Sequence, residues 1–286
     1  MQQNDLVALT RAAQRLETVN LATHLSHLVG MPIEKAMAAF PGHWSTIVAR
    51  ITKKALTKAL DGALMTMPAK KRKPSNRNHK FLVGLSGALG GTFGITSLAL
   101  ELPISATIML RSIAEIARAE GEDLNTLEAK MECLTVFALS GGSATAESAD
   151  TSYYAARSLL AKAVTDTTNH LAVHGLGTEG APALVKLVNV VSTRFSIPVS
   201  EKVVTQSLPV LGALGGAAIN LLFIEHFQQM AKAHFTVRRL ERQYSKELIA
   251  DRYAAIVKAN SQSNSKVWNT LYWLSDEYIA SNPPEN

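Results

Sequence analysis

The chain has 286 residues, 47% of them hydrophobic and only 6% aromatic, with one cysteine and a formal net charge of +6. That length can bury a sizeable core without staples, and the lone Cys133 excludes an intramolecular disulfide and a cysteine-rich metal site. The charge is local: Arg50 to Lys80 holds ten basic residues against Asp61 alone, a net +9, so the other 255 residues sum to −3.

Met1 to Thr10 has no basic stretch followed by an apolar core, so no secretory signal is read there and a cytoplasmic location is expected. Asn4 or Asp5 can cap a first helix, in which Leu6, Leu9, Ala13, Leu16 and Val19 recur at spacings of three and four before Gly30 and Pro32 end it. A short helical turn over 32–40 leads through Pro41-Gly42 to a second long helix capped by Ser45, with Ile47, Ile51, Leu56, Leu60 and Leu64 facing inward. Its other face is basic. Arg50, Lys54 and Lys58 stand at i, i+4 with Lys53 beside them, an unfavourable spacing for like charges unless something anionic neutralises them.

Residues 68–80 (PAKKRKPSNRNHK) form a basic, proline-bracketed linker, too polar to bury. The character then inverts, because residues 81–100 carry no charge, and about twenty apolar residues suffice to cross a bilayer as a helix. Glu101 and Pro103 are expected to interrupt that run, with an amphipathic helix following as far as Gly121. Further helices are expected over about 124–139, 148–172 and 181–195, with Ser200 capping another short one. A second apolar segment, 208–224, continues into a polar helix through Glu241, and two helices over 245–259 and 266–280 finish the chain. No strand-like alternation stands out, so the fold class is all-α. The pentapeptide Gly87-Ala88-Leu89-Gly90-Gly91 recurs as Gly212-Ala213-Leu214-Gly215-Gly216. Each copy opens an apolar helix that becomes charged, as two related units would.

Several of these residues carry a family resemblance. Glu101-Leu102-Pro103, Thr107, Leu110-Arg111-Ser112-Ile113, Ile116-Ala117 and Gly121-Glu122-Asp123-Leu124 form one set. Gly212-Ala213, Gly215-Gly216, Asn220, Phe223, Ala231, His234-Phe235 and Leu240-Glu241 form the other. Over roughly residues 81–245 they resemble the EcsC family, named for the third gene of a bacterial operon that also encodes an ABC transporter. The resemblance implies a helical, membrane-associated cytoplasmic protein, and it supplies no catalytic residues and no cofactor. Glu120 departs from the family pattern, where an aromatic residue often precedes the glycine, which puts a local packing contact in question. The organisation expected is amphipathic helices over 1–67, a basic linker over 68–80, the EcsC-like core over 81–245 and C-terminal helices over 246–286 packing on that core.

Gly87, Gly90, Gly91 and Gly94, with Gly212, Gly215 and Gly216, recur at spacings that let helix backbones approach closely, which suits lipid-embedded helices and tightly crossed helices in a core alike. Asn220 could hydrogen-bond across to the other glycine segment or serve a buried carbonyl. Arg50, Lys53, Lys54, Lys58, Lys70, Lys71, Arg72, Lys73, Arg77 and Lys80 are the candidate contacts to an anionic lipid surface. The bland alternative is a solvated helix face followed by a linker. Nucleic acid is not the expected partner, because no aromatic side chains are interleaved to stack on bases.

Glu101 is costly in apolar surroundings unless paired or protonated. Arg111 is a candidate partner, and a helix-start role beside Pro103 is the simpler account. His170 and His174, and Glu225, His226 and His234, match no recognised metal-ligand pattern, so no metal is expected. The Gly84-Leu85-Ser86-Gly87 segment lacks the final glycine and the strand of a nucleophile elbow. Two functions remain. One is a non-enzymatic lipid-binding or peripheral membrane protein near the inner membrane or an ABC transporter. The other is a hydrolase-like enzyme in which Glu101, Arg111, His226 and His234 are the groups worth testing.

Overall fold

The computed structural model describes residues 1–18, 21–38, 40, 42–66, 95–139, 152–174, 181–207 and 212–262. Among them are ten helices and no strand: α1 (Gln3–Thr18), α2 (Leu21–Val29), α3 (Ile33–Ala38), α4 (Trp44–Thr66), α5 (Ile95–Ala119), α6 (Leu127–Leu139), α7 (Ser152–His174), α8 (Ala181–Ser207), α9 (Gly212–Gln243) and α10 (Lys246–Gln262). No helix among the described residues is long and apolar enough to cross a membrane. The basic linker, the first glycine cluster and the helix expected over 266–280 lie outside the described residues.

α9 has 32 residues, a length of about 48 Å at 1.5 Å per residue. It runs through the molecule and packs against α1, α2, α5, α6, α8 and α10. Its apolar stripe supplies Phe223 and Phe227, which meet Phe137 of α6 and Phe195 of α8 with ring centroids 4.7–6.1 Å apart. Such aromatic clusters add specific edge-to-face contacts to their area burial. α4 packs on α5 and α8 through Val48, Thr52, Ala55, Leu56, Ala59 and Leu60, all buried.

α1 is described as far as Thr18 and α2 from Leu21. Three expectations change. Pro103 does not interrupt α5, and Glu101 stands in its second turn rather than at a helix start. The carbonyl of Ala99 loses its partner to the proline ring, but Ala99 and Leu100 are exposed, so water can serve it. Pro198 likewise lies inside α8, which runs from Ala181 to Ser207 as one helix. Ser200, expected as a cap, instead donates 2.8 Å to the Ser196 carbonyl within that helix. Finally, the polar helix expected after residue 224 is the buried C-terminal half of α9, where Gln228, His234, Thr236 and Glu241 are all buried.

Local stops and starts are readable in atoms. Gly121 ends α5 at φ 85°, with its N–H on the Arg118 carbonyl and the Glu122 N–H on the Ala117 carbonyl, the paired bonds of a Schellman motif. Asp123 then accepts from the Asn125 N–H at 3.0 Å, and Thr126 caps α6 by accepting from the Ala129 N–H at 3.2 Å.

Candidate functional site

The polar residues fall into one exposed face and two buried clusters. α4 buries one side and turns the other outward, so Arg50, Lys53, Lys54 and Lys58 are all exposed. None of the four forms an ion pair with a described acidic residue. Lys70, Lys71, Arg72, Lys73, Arg77 and Lys80 lie outside the described residues. The outer face of α4 is therefore a cationic stripe.

The first buried cluster joins α5, α8 and α9. Leu98, Glu101, Leu102 and Ser105 make the inward stripe of α5, and Phe195, Val199, Lys202 and Val203 that of α8. Each stripe therefore carries one charge at a core position. Lys202 Nζ is 2.6 Å from Glu101 Oε1, with the lysine side chain at 0% exposure, and it also sits 5.0 Å from the Phe223 ring centroid. The partner of Glu101 is thus Lys202; Arg111, ten residues along the same helix, is exposed. Asn220 is fully buried and accepts from Gln206 Nε2 of α8 at 3.4 Å. Gly212 and Gly215 stand in the first turn of α9 and Gly216 is buried just after it. Gly87, Gly90, Gly91 and Gly94 lie outside the described residues.

The second cluster is an ionic seam along the last half of α9. Glu120 accepts from Lys232 and, at 2.9 Å, from Arg239 Nε, while its backbone carbonyl takes 2.7 Å from Arg242 Nη2. Glu120, the residue before Gly121, is thus a buried carboxylate held by two cations. Glu122 accepts from Arg238 Nε at 2.8 Å and from Arg242. Burial works against its ionisation, and the two guanidinium groups outweigh it, so its pKa is lowered. Arg157 of α7 grips Glu241 with two bonds of 2.6 Å, and Tyr154 donates to the same carboxylate at 3.2 Å. At the N-terminal side, Tyr244 donates 2.7 Å to Asp5 of α1.

His234 lies at the centre of the seam, with Tyr153 Oη 2.9 Å from Nδ1 and Glu132 Oε2 3.3 Å from Nε2. The second contact is long, so it is chiefly an electrostatic tie. Burial lowers the His234 pKa in spite of the carboxylate. Burial raises the Tyr153 hydroxyl. The arrangement that satisfies both is a neutral imidazole accepting at Nδ1 from the phenol and turning its N–H toward Glu132. A Tyr–His–Glu chain has the parts of an acid–base relay, but Tyr153 and His234 are buried and the phenol is pushed away from ionisation, so its evident work is to tie α6, α7 and α9 together.

His226 is different: it is 3% exposed, and neither ring nitrogen has a hydrogen-bond partner among the described residues. Burial first, and the neighbouring His24 second, lower its pKa to about 3. The four candidate enzyme groups are engaged separately. Glu101 meets Lys202, His234 meets Tyr153 and Glu132, His226 has no polar partner among the described residues, and Arg111 is on the outer face. His170 and His174 stack with ring centroids 4.5 Å apart, and no cluster of metal-ligating side chains occurs among the described residues.

Sequence reasoning missed Lys202, Glu132, Tyr153, Arg157 and Arg238. Lys202 was detectable as a charge at four-three spacing after Phe195 and Val199. The others had no such signal, because their partners lie more than eighty residues away.

A model of the EcsC protein family matches residues 11–240. The match therefore starts in α1 and takes in the basic face, the first buried cluster and most of the second, which runs past it at Asp5, Glu241, Arg242 and Tyr244. No curated protein and no solved structure matches the chain.

Proposed function

The chain belongs to the EcsC family, and we propose that it is a non-enzymatic accessory protein that attaches peripherally to an anionic membrane surface, close to a transporter, through the outer face of α4. The observation that carries this reading is the set Arg50, Lys53, Lys54 and Lys58, exposed together and without a described acidic partner. Each cation near such a surface contributes about 1 kcal/mol, so four supply roughly 4 kcal/mol, or about a thousandfold in partition. The charges of the two buried clusters are taken up in holding helices together, which leaves the α4 face as a cationic surface without that role.

Flotation tests it. Wild-type protein is expected to rise with vesicles containing phosphatidylglycerol at low salt, to stay down with phosphatidylcholine alone, and to be released as salt shortens the screening length. The Lys53→Glu/Lys54→Glu/Lys58→Glu variant is expected to lose flotation while keeping its helical circular dichroism. Flotation that ignores both salt and lipid charge would refute the proposal.

A further inference from the structure

Two large apolar side chains on α5 face outward. Leu100 is 76% exposed and Ile104 56% exposed, and their i, i+4 spacing stacks them on one stripe of the helix. The stripe continues through Thr107, half-buried, to Arg111, exposed. The opposite stripe, Leu98, Leu102, Met109 and Ile113, is the one that α5 buries. α5 is also the helix against which α4 packs most extensively. A pair of exposed apolar residues therefore stands on the immediate neighbour of the basic helix, bounded along its own stripe by an arginine.

We propose that Leu100 and Ile104 are an apolar anchor that enters the headgroup–acyl boundary of an anionic bilayer while the α4 cations hold the phosphates beside it. The inference rests on the membrane-surface reading above and adds its depth and its second determinant. A bilayer fits this patch better than a second protein. Two side chains fall far short of the roughly 800 Å² per partner that a stable protein interface buries, whereas shallow insertion needs no more than a few apolar groups next to positive charge. Proline 103 suits the position, because the unpaired Ala99 carbonyl points to the wet side and stays hydrated in the headgroup zone. Each inserted side chain is worth roughly a tenfold gain in partition.

The experiment uses the full chain with Ile104→Cys carrying an environment-sensitive fluorophore. Cys133 is fully buried and its thiol is pushed up in pKa by burial, so native protein is labelled at position 104 alone. With phosphatidylglycerol-containing vesicles the label is expected to shift to the blue and to be quenched by a lipid bearing a quencher at the top of its acyl chain. Leu100→Ser/Ile104→Ser is expected to float at low salt but to be released at lower salt than wild type, with about a hundredfold weaker partition. If wild type floats with salt sensitivity while the label stays in water and the double serine variant matches it, the anchor is wrong and the α4 reading stands. If wild type does not float on any vesicle, both fail. A blue shift that depends on protein concentration without vesicles would overturn the anchor in favour of self-association.

Discussion

Replacing Glu101 by glutamine keeps the shape of the side chain and removes its charge, leaving the Lys202 ammonium fully buried beside a neutral amide and the Phe223 ring. At the 2.6 Å separation of the native pair, the Coulomb attraction at an effective dielectric constant near 20 is about 6 kcal/mol before desolvation. What is lost when one partner goes is smaller, about 3–5 kcal/mol, because it is set by the cost of the stranded charge. The companion change, Lys202→Met, strands the carboxylate and is expected to cost about as much. Joining Glu101→Leu with Lys202→Met removes both charges from two otherwise apolar stripes, and the double variant is expected to lie within about 1 kcal/mol of wild type, or above it. Denaturant titration followed by circular dichroism measures each variant, and Glu101→Leu alone supplies the remaining corner of the Glu101→Leu/Lys202→Met cycle. A Glu101→Gln cost below about 1 kcal/mol, or a double variant as unstable as the two single changes added, would refute the claim that these groups are a coupled buried pair.

His226 should govern the acid limb of stability. Its folded pKa of about 3 lies below the ordinary 6.5, so the folded state resists protonation; the stability is fully present above pH 6.5 and falls by up to about 1.4 kcal/mol per pH unit as pH drops toward 3. His226→Leu is expected to flatten that fall and to raise the denaturation midpoint at pH 5, with the remaining slope left to the other groups of lowered pKa, His24, His234, Glu122 and Glu132; an unchanged acid limb would refute it. Arg157→Lys keeps a cation near Glu241 but loses the two-bond grip, so a loss of about 1–2 kcal/mol is expected, against about 3 kcal/mol or more for Arg157→Ala, and equal melting temperatures for the two would be the contrary result. Gly121→Ala places a Cβ 3.5 Å from Arg242 Nη2, an ordinary contact, so the expected cost of about 1–2 kcal/mol comes from φ 85° alone. Asn at the same position should cost less, and denaturation midpoints for Ala and Asn that match would argue against that cause.

Most helices were legible because their inward stripes and glycine stops are local. Leu9, Ala13 and Leu16 set α1, and Gly121 ended α5 where it was expected. A proline misled. Pro103, expected as an interruption, sits inside α5, as Pro198 does inside α8, because buried residues hold each helix on both sides of the proline and outweigh one missing hydrogen bond. The sequence from Glu225 to Glu241 read only as a polar helix, because hydropathy records the charges of Arg238, Arg239 and Glu241 but not the Glu120, Glu122, Glu132 and Arg157 groups that come from other helices to neutralise them. Glu101 was suspected correctly, and its partner was missed, since nothing local links position 101 to position 202. The exposed α4 cations were plain from i, i+4 spacing alone. Leu100, at the end of the apolar run, and Ile104, just past Pro103, carried no sign in the sequence that they turn outward.

The contacts of α1 also set an order of events during synthesis. Asp5 is held by Tyr244, 239 positions away, and Arg239 Nη1 approaches the same carboxylate at 3.5 Å, while Leu9, Ala13 and Leu16 are buried on a helix that packs chiefly on α9. None of those partners exists until nearly the whole family unit has been translated, which at about 5–20 residues per second takes on the order of ten seconds or more. For that interval α1 carries an apolar stripe with nowhere to go. Chains stopped before α9 should therefore be insoluble or chaperone-bound, and the N-terminal helix should be the last element to become protected in pulse-labelled hydrogen exchange.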